Sequence, residues 1–316
     1  MRKSMKQKVA CNCYTQMKIG EVKVADDQDF LNLKHLVEDE PGWTLEFNKE
    51  NTKVWTKAAP TTNFKMVKVN AAFPNVDPDV LYDVLHDPEY RKVWDTHMIE
   101  QHDIGSLNPN NDLGYYAMTC PSPVSKRDFV LQRSWLDTGQ EKYIINHSVF
   151  HKGFPPRKDF IRAKSYITGF LVRPSKTHGC YLDYVSQSDP CGKLPSVLVN
   201  KLTQKVARKL IALFFLCLRR LENMLLDSSW DTVLCVNPTH LLIPSYYFQM
   251  VATLHEACQG YPEWKRQHNP HWKPWHNPEQ MTKPRVKLED CKPSPADLQL
   301  SEEEIDGGKS SDGRKK

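Results

Sequence analysis

Long apolar runs, paired cysteines and a one-sided charge are all missing from this 316-residue sequence. The longest apolar run is Leu210–Leu218, closed by Arg219 and Arg220. A bilayer span takes about 20 apolar residues, so membrane contact is expected to be peripheral. The nine cysteines are odd in number and follow no framework spacing, which predicts reduced thiols and a cytoplasmic location. The N-terminal region is charged and shows no apolar segment of the kind a signal peptide needs. A formal net charge of +5 is mild: it suits weak attraction to anionic surfaces rather than dedicated nucleic-acid binding. No Gly-x-Ser-x-Gly elbow is present, and no enzyme is expected. His268, His271 and His276 lie among prolines with no acid or cysteine to complete a ligand spacing, so neither a metal nor any other cofactor is expected.

What is present is a globular composition, 40% hydrophobic and 26% charged. Phe30, Leu33, Leu36 and Val37 recur at helical spacing after Asp26, and Pro41-Gly42 ends that helix. Alternation then predicts strands over 43–48, 53–57 and 66–73. Asp77–Asp87 reads as a second helix, capped by Asp77, and Glu89–Asp95 as a further short turn. Six strands follow, at about 96–104, 114–120, 128–137, 142–150, 161–172 and 180–188, separated by Asn-, Gly- and Pro-rich turns. Successive strands with short turns favour an antiparallel sheet. A last long helix is predicted from Leu194 through Leu225, with another at Gln249–Cys258. Residues 1–24 read as a basic disordered arm, and 281–316 as a disordered charged tail.

Several motifs occur in one order: Leu81–Asp87 (LYDVLHD), Tyr90–Asp95 (YRKVWD), Pro121–Pro123 leading to Lys126–Asp128, Phe154–Phe160 (FPPRKDF), Gly192–Pro195, Val199–Lys201 and Tyr261–Trp264. With these the sequence resembles the START lipid-transfer family, within it the phosphatidylcholine-transfer group. The resemblance implies an α+β helix-grip fold over residues 25–280. A curved antiparallel sheet would wrap a long C-terminal helix and enclose a lipid tunnel. It implies that Arg91 meets the lipid phosphate, with Asp95 as its acidic neighbour. Tyr116, Phe129 and Tyr166 would form an aromatic cage for a quaternary ammonium, and Met118 a neighbouring wall. The family carries tryptophan and tyrosine at the first two cage positions, so this weaker cage would admit phosphatidylethanolamine beside phosphatidylcholine. Pro121, Pro123 and Val124, with the helix start at Leu194, would form the gate. Arg127-Asp128 reads as a lock between a loop and the sheet.

The sequence departs from that pattern at about 208–250, an insert that begins with strongly helical Arg208–Leu226. That segment is expected to take the place of the helix over the tunnel and to leave Val251–Cys258 displaced or paired beside it. Ser301, ahead of Glu302, Glu303 and Glu304, fits an acid-directed kinase, whose phosphate would add to a negative cluster. The reading is therefore a monomeric cytoplasmic carrier, peripherally associated with membranes, that binds phospholipid and moves it between them. The competing readings are a lipid-sensing interaction protein without net transport, or a form whose altered lid impairs lipid binding.

Overall fold

The computed structural model describes residues 17–49, 51–59, 62, 64–120, 125–192 and 243–298. Ten strands form one sheet: β1 (Thr44–Lys49), β2 (Thr52–Lys57), β3 (Met66–Pro74), β4 (Met98–Asn108), β5 (Asn111–Met118), β6 (Arg127–Asp137), β7 (Lys142–Ser148), β8 (Ile161–Arg162), β9 (Lys164–Pro174) and β10 (Gly179–Asp189). Their spatial order is β1-β2-β3-β10-β9-β7-β6-β5-β4, antiparallel along that path, with the short β8 parallel to β6. The alternating pattern that predicted these strands is the alternation of two buried faces.

One face carries α1 (Asp27–Glu38), whose start is fixed by a capping box between Asp26 and Asp29. Phe30, Leu33, Leu36 and Val37 pack there against Tyr143, Ile145, Ile167, Leu171 and Val185. Gly169 is the only residue type that lets Leu33 lie so close, because a Cβ would meet its Cδ1 at 2.3 Å. The opposite face receives α2 (Pro78–His86), α3 (Pro88–Trp94) and α4 (Ile243–Gln267). There Val54, Val69, Phe73, Trp135, Ile144 and Leu182 meet Leu81, Tyr82 and Leu85 of α2 and Val251, Leu254, Ala257 and Tyr261 of α4. Each such buried side chain contributes about 1.5–3 kcal/mol, so this two-sided sheet holds the fold.

Two acids, Asp83 on α2 and Asp87 at its C-cap, fasten the C-terminal region. Asp87 is fully buried: its Oδ1 caps α3 by accepting from the amides of Glu89 and Tyr90, while Oδ2 accepts from Tyr261 Oη at 3.1 Å and Lys265 Nζ at 2.8 Å. Asp83 accepts from Trp275 Nε1 (2.7 Å), His276 Nε2 (2.8 Å) and Lys273 Nζ (2.6 Å). These bonds hold α4 in place even though Pro262 removes one of its backbone donors.

The structure corrects several expectations. Residues 17–24 are not a loose arm: Met17 is buried, Gly20 donates to Ser148 O at 2.9 Å, and Lys23 exchanges bonds with the Gln132 side chain. Residues 281–298 are not a disordered tail either. Ser106 N donates to Pro284 O (2.8 Å) and Val286 N to Ser106 O (3.0 Å), so this segment pairs with the edge strand β4 before Cys291 buries itself beside Leu113 and Tyr115. Both segments are ordered by partners far away in sequence, which composition does not report. Val251–Cys258 is not displaced but forms the buried face of α4, a helix that begins at Ile243 inside the expected insert. Residues 208–242, the predicted helix from Leu194, and residues 299–316 lie outside the described residues.

Candidate functional site

The inner face of the sheet changes character along β5 and β6. At the α2 end it is closed by the apolar core; at the other end Tyr116, Met118, Phe129 and Leu131 are only half-buried. Tyr116 on β5 lies directly opposite Phe129 on β6, and Met118 opposite Met98. The Tyr116 hydroxyl donates to Asp95 Oδ2 at 2.9 Å, so the ring is anchored at the residue that ends α3. Asp95 Oδ1 also accepts from the His97 amide, at 3.3 Å.

Arg91 stands one helical turn before Asp95 and is half-buried. Its guanidinium lies 5.5 Å from the Trp94 ring and donates through Nη2 to Leu85 O at 3.3 Å. That leaves donor capacity on a planar fork suited to a phosphate. Arg91, Asp95, Tyr116, Met118 and Phe129 are thus brought into one neighbourhood. Tyr166 lies on β9, two strands from β6, where the β9–β10 register slips between Gln187 and Ser188. It borders a small cavity under α1 shared with Asp29, Asn32 and His147.

Arg127 and Asp128 form the lock. Arg127 donates to Pro190 O (2.8 Å), Cys191 O (3.0 Å) and Ser125 O. Asp128 takes a two-pronged bond from Arg162 at 3.0 and 2.9 Å and another from Tyr115 Oη at 3.1 Å. Arg127 therefore holds Ser125, which follows the predicted gate loop, to Cys191, which precedes Leu194. Pro121, Pro123, Val124, Leu194 and Ser301 themselves lie outside the described residues.

The sequence reading missed a second group of charges, at the other end of β5 from Met118. Asp112 accepts from Arg133 (2.8 and 3.2 Å) and from Lys283 (2.7 Å), which also reaches Asp103. Burial would raise the Asp112 carboxyl, but these two cations outweigh it and hold it below the ordinary range. His86 is buried between Tyr82, Trp135 and Trp275. Burial, with Arg133, His276 and Arg91 nearby, pushes its imidazole well below the ordinary value. The signal for both was a charged or titratable residue at an apolar periodic position. Of the three histidines weighed as metal ligands, His276 binds Asp83 and His268 stacks on Trp264, so they do not gather on one point.

This order of strands and helices, with these motifs in place, is matched by the START domain profile over residues 23–224. The chain belongs to the START domain family. Its START domain is 36% identical over 277 residues to START domain-containing protein 10 of Mus musculus, covering 87% of this chain and 81% of that protein. The Homo sapiens protein of that name matches equally over the same length. Phosphatidylcholine transfer protein of Bos taurus is 28% identical over 162 residues, half of this chain and 75% of that one. The START fold superposes on the crystal structure of human STARD10 with a TM-score of 0.68 at 36% identity, covering 87% of this chain and 97% of that one. Human StAR-related lipid transfer protein 5 shares the fold, with a TM-score of 0.53 at 14% identity over 73% of this chain and 93% of that one. This is a lipid-binding and lipid-transfer family, and the chain is a member of it.

Proposed function

We propose that the protein carries one phospholipid molecule at a time, phosphatidylcholine or phosphatidylethanolamine, between membranes, without chemical conversion. The carrying observation is the juxtaposition, at the open end of the inner face, of a half-buried guanidinium at Arg91 with a carboxylate–phenol pair at Asp95 and Tyr116. A zwitterionic headgroup offers a phosphate to the first and a cationic nitrogen to the second. The Tyr116 and Phe129 rings attract a quaternary ammonium through their faces. The Asp95 carboxylate also accepts hydrogen bonds from a primary ammonium, which is why both headgroups fit this reading.

Partition supplies the rest. Each methylene moved from water into an apolar interior contributes about 0.8 kcal/mol, so two acyl chains contribute on the order of 20 kcal/mol. A bilayer offers the chains nearly the same, which makes exchange close to thermoneutral and leaves selectivity to the headgroup. Exchange also needs a door that opens cheaply. Arg127 fastens the described ends on either side of the predicted gate, so opening there need not disturb the sheet. Identity to acetyl-coenzyme A thioesterase of Rattus norvegicus is 24% over 176 residues, 31% of that protein's length. Among the described residues no helix is long and apolar enough to cross a membrane, and we read the association as peripheral.

Native mass spectrometry of the purified protein tests binding, and transfer of labelled phosphatidylcholine between vesicles tests carriage. Arg91→Ala removes a charge-assisted bond worth about 1.5–3 kcal/mol and is expected to lower phospholipid occupancy at least tenfold. Wild-type protein that neither holds nor moves phospholipid would end the proposal.

A further inference from the structure

The C-terminal segment crosses the outer face of the sheet and ends on the acid of the lock. It pairs with β4 through Ser106, buries Cys291 beside Leu113 and Tyr115, and accepts the Lys152 amide on Asp290 O at 2.8 Å. Its last described residues then meet Arg162. Asp297 Oδ1 lies 3.9 Å from Arg162 Nη1, with both side chains buried. The other nitrogens of that guanidinium, Nε and Nη2, hold Asp128 at 3.0 and 2.9 Å. One cation is therefore shared by two carboxylates, and the more distant of them belongs to the C-terminal segment.

Ser294 sets the position of Asp297. The Ser294 hydroxyl donates to Asp297 Oδ2 at 2.6 Å and the Ser294 amide to the same oxygen at 2.8 Å, while the Asp297 amide donates back to Ser294 Oγ at 3.2 Å. Ser294 itself is half-buried, but Lys292, Pro293 and Pro295 around it are exposed. Pro295 drives Ser294 to extended backbone, because a following proline disfavours the helical region. An exposed Pro-Ser-Pro triplet behind a lysine is a shape that a proline-directed serine kinase accepts.

We infer that Ser294 is a phosphorylation site and that its phosphate releases residues 292–298 from Arg162. In the transfer the bond from Ser294 Oγ to phosphorus forms as the bond between the β- and γ-phosphoryl groups of ATP breaks; ADP departs and the hydroxyl proton passes to the kinase. The modification removes the hydroxyl donor that Asp297 accepts from, and sets a charge of about −1.5 to −2 against that carboxylate. The surroundings do not absorb this charge. Asp297 and Asp128 already share Arg162, Lys152 is engaged by Asp290 at 2.6 Å, and Lys292 is exposed to solvent. A phosphate beside an aspartate disrupts by repulsion, and Asp128, with its two-pronged bond, retains Arg162. The release stops short of β4, because residues 284–286 are held by backbone bonds to Ser106. The inference stands apart from lipid carriage, since it concerns the outer face of the sheet.

The test treats the purified full chain with a proline-directed serine kinase and magnesium ATP, beside Ser294→Ala and Ser122→Ala. Ser122 lies in the chain's other Pro-Ser-Pro triplet, at 121–123. Peptide mass spectrometry locates the phosphate, hydrogen exchange reads residues 281–298, and thermal melting shows that each protein folds. Phosphate is expected on Ser294 in wild type and in Ser122→Ala. Phosphorylated wild type is expected to exchange at least about tenfold faster over 292–298 than the unmodified protein, with 284–290 unchanged. It is also expected to exchange faster than Ser294→Ala, which loses the hydroxyl bond without gaining charge. Wild type that stays unmodified at Ser294, or takes phosphate on Ser122 alone, would overturn the site. Full modification of Ser294 with unchanged exchange would overturn the release, and exchange no faster than in Ser294→Ala would overturn charge as its cause.

Discussion

At the scale of single residues, the inner face places titratable groups where water is absent and uses their neighbours to set their charge. His86 is the clearest case. Its folded-state value lies well below the ordinary 6.5, driven by burial and then by Arg133, His276 and Arg91. A depressed folded value means that the unfolded chain binds the extra proton. Stability from this group is thus complete above pH 6.5 and declines as the pH falls toward the folded value. Thermal melting between pH 7.5 and 5 should show a falling melting temperature, and His86→Met should flatten that slope. Asp83 and Asp112 act lower on the scale. Burial would raise each carboxyl, but hydrogen bonds from His276, Lys273 and Trp275 for the first, and Arg133 and Lys283 for the second, hold them down. Their contribution is present above the ordinary aspartate value of 3.8 and is lost in stronger acid.

At the scale of elements, α4 and the segment after it are held by a few buried contacts rather than by a continuous apolar stripe. Asp87 alone ends α2, caps α3 and binds Tyr261 and Lys265 of α4. Asp87→Asn should leave the Lys265 ammonium buried without its counter-charge. Breaking a buried pair from one side costs about 3–5 kcal/mol, which urea denaturation would read as a large fall in the midpoint. The edge strand β4 depends on the chain's own C-terminal segment. Gly105 permits the contact, because a Cβ there would lie 2.6 Å from Pro284 O, a backbone atom that cannot swing aside. Gly105→Ala should therefore loosen residues 281–291, seen as faster proteolysis within them. It should also promote aggregation by uncovering a strand edge.

At the scale of the whole molecule, the sheet is buried on both faces, with α1 on one side and α2, α3 and α4 on the other, and its closed and open ends do different work. The closed end supplies stability through the cluster around Leu81, Tyr82, Trp135 and Leu254. The open end gathers Arg91, Asp95, Tyr116 and Phe129 near Arg127, which pairs with Met118 at the end of β5. The proposed carriage fits this division, because a site that opens locally cannot also be the part that keeps the chain folded.

The sheet, α1 and α2 were legible because strand and helix periodicity is local, as the patterns at Val67–Phe73 and Phe30–Val37 show. The motifs YRKVWD and LYDVLHD carried the family resemblance and with it the candidate site. They did not reveal that Asp83 and Asp87 reach forward to residues 261–276, since those partners lie far along the chain. Nor did composition reveal that 17–24 and 281–298 are ordered. Both segments lack a period of their own and take their shape from backbone bonds to Ser148 and Ser106. Periodicity and motif order thus determined which elements form and which family they build. Which charges are buried together, which edge is covered and which apolar side chains face outward were decided only by tertiary packing, because each depends on distances that local sequence does not encode.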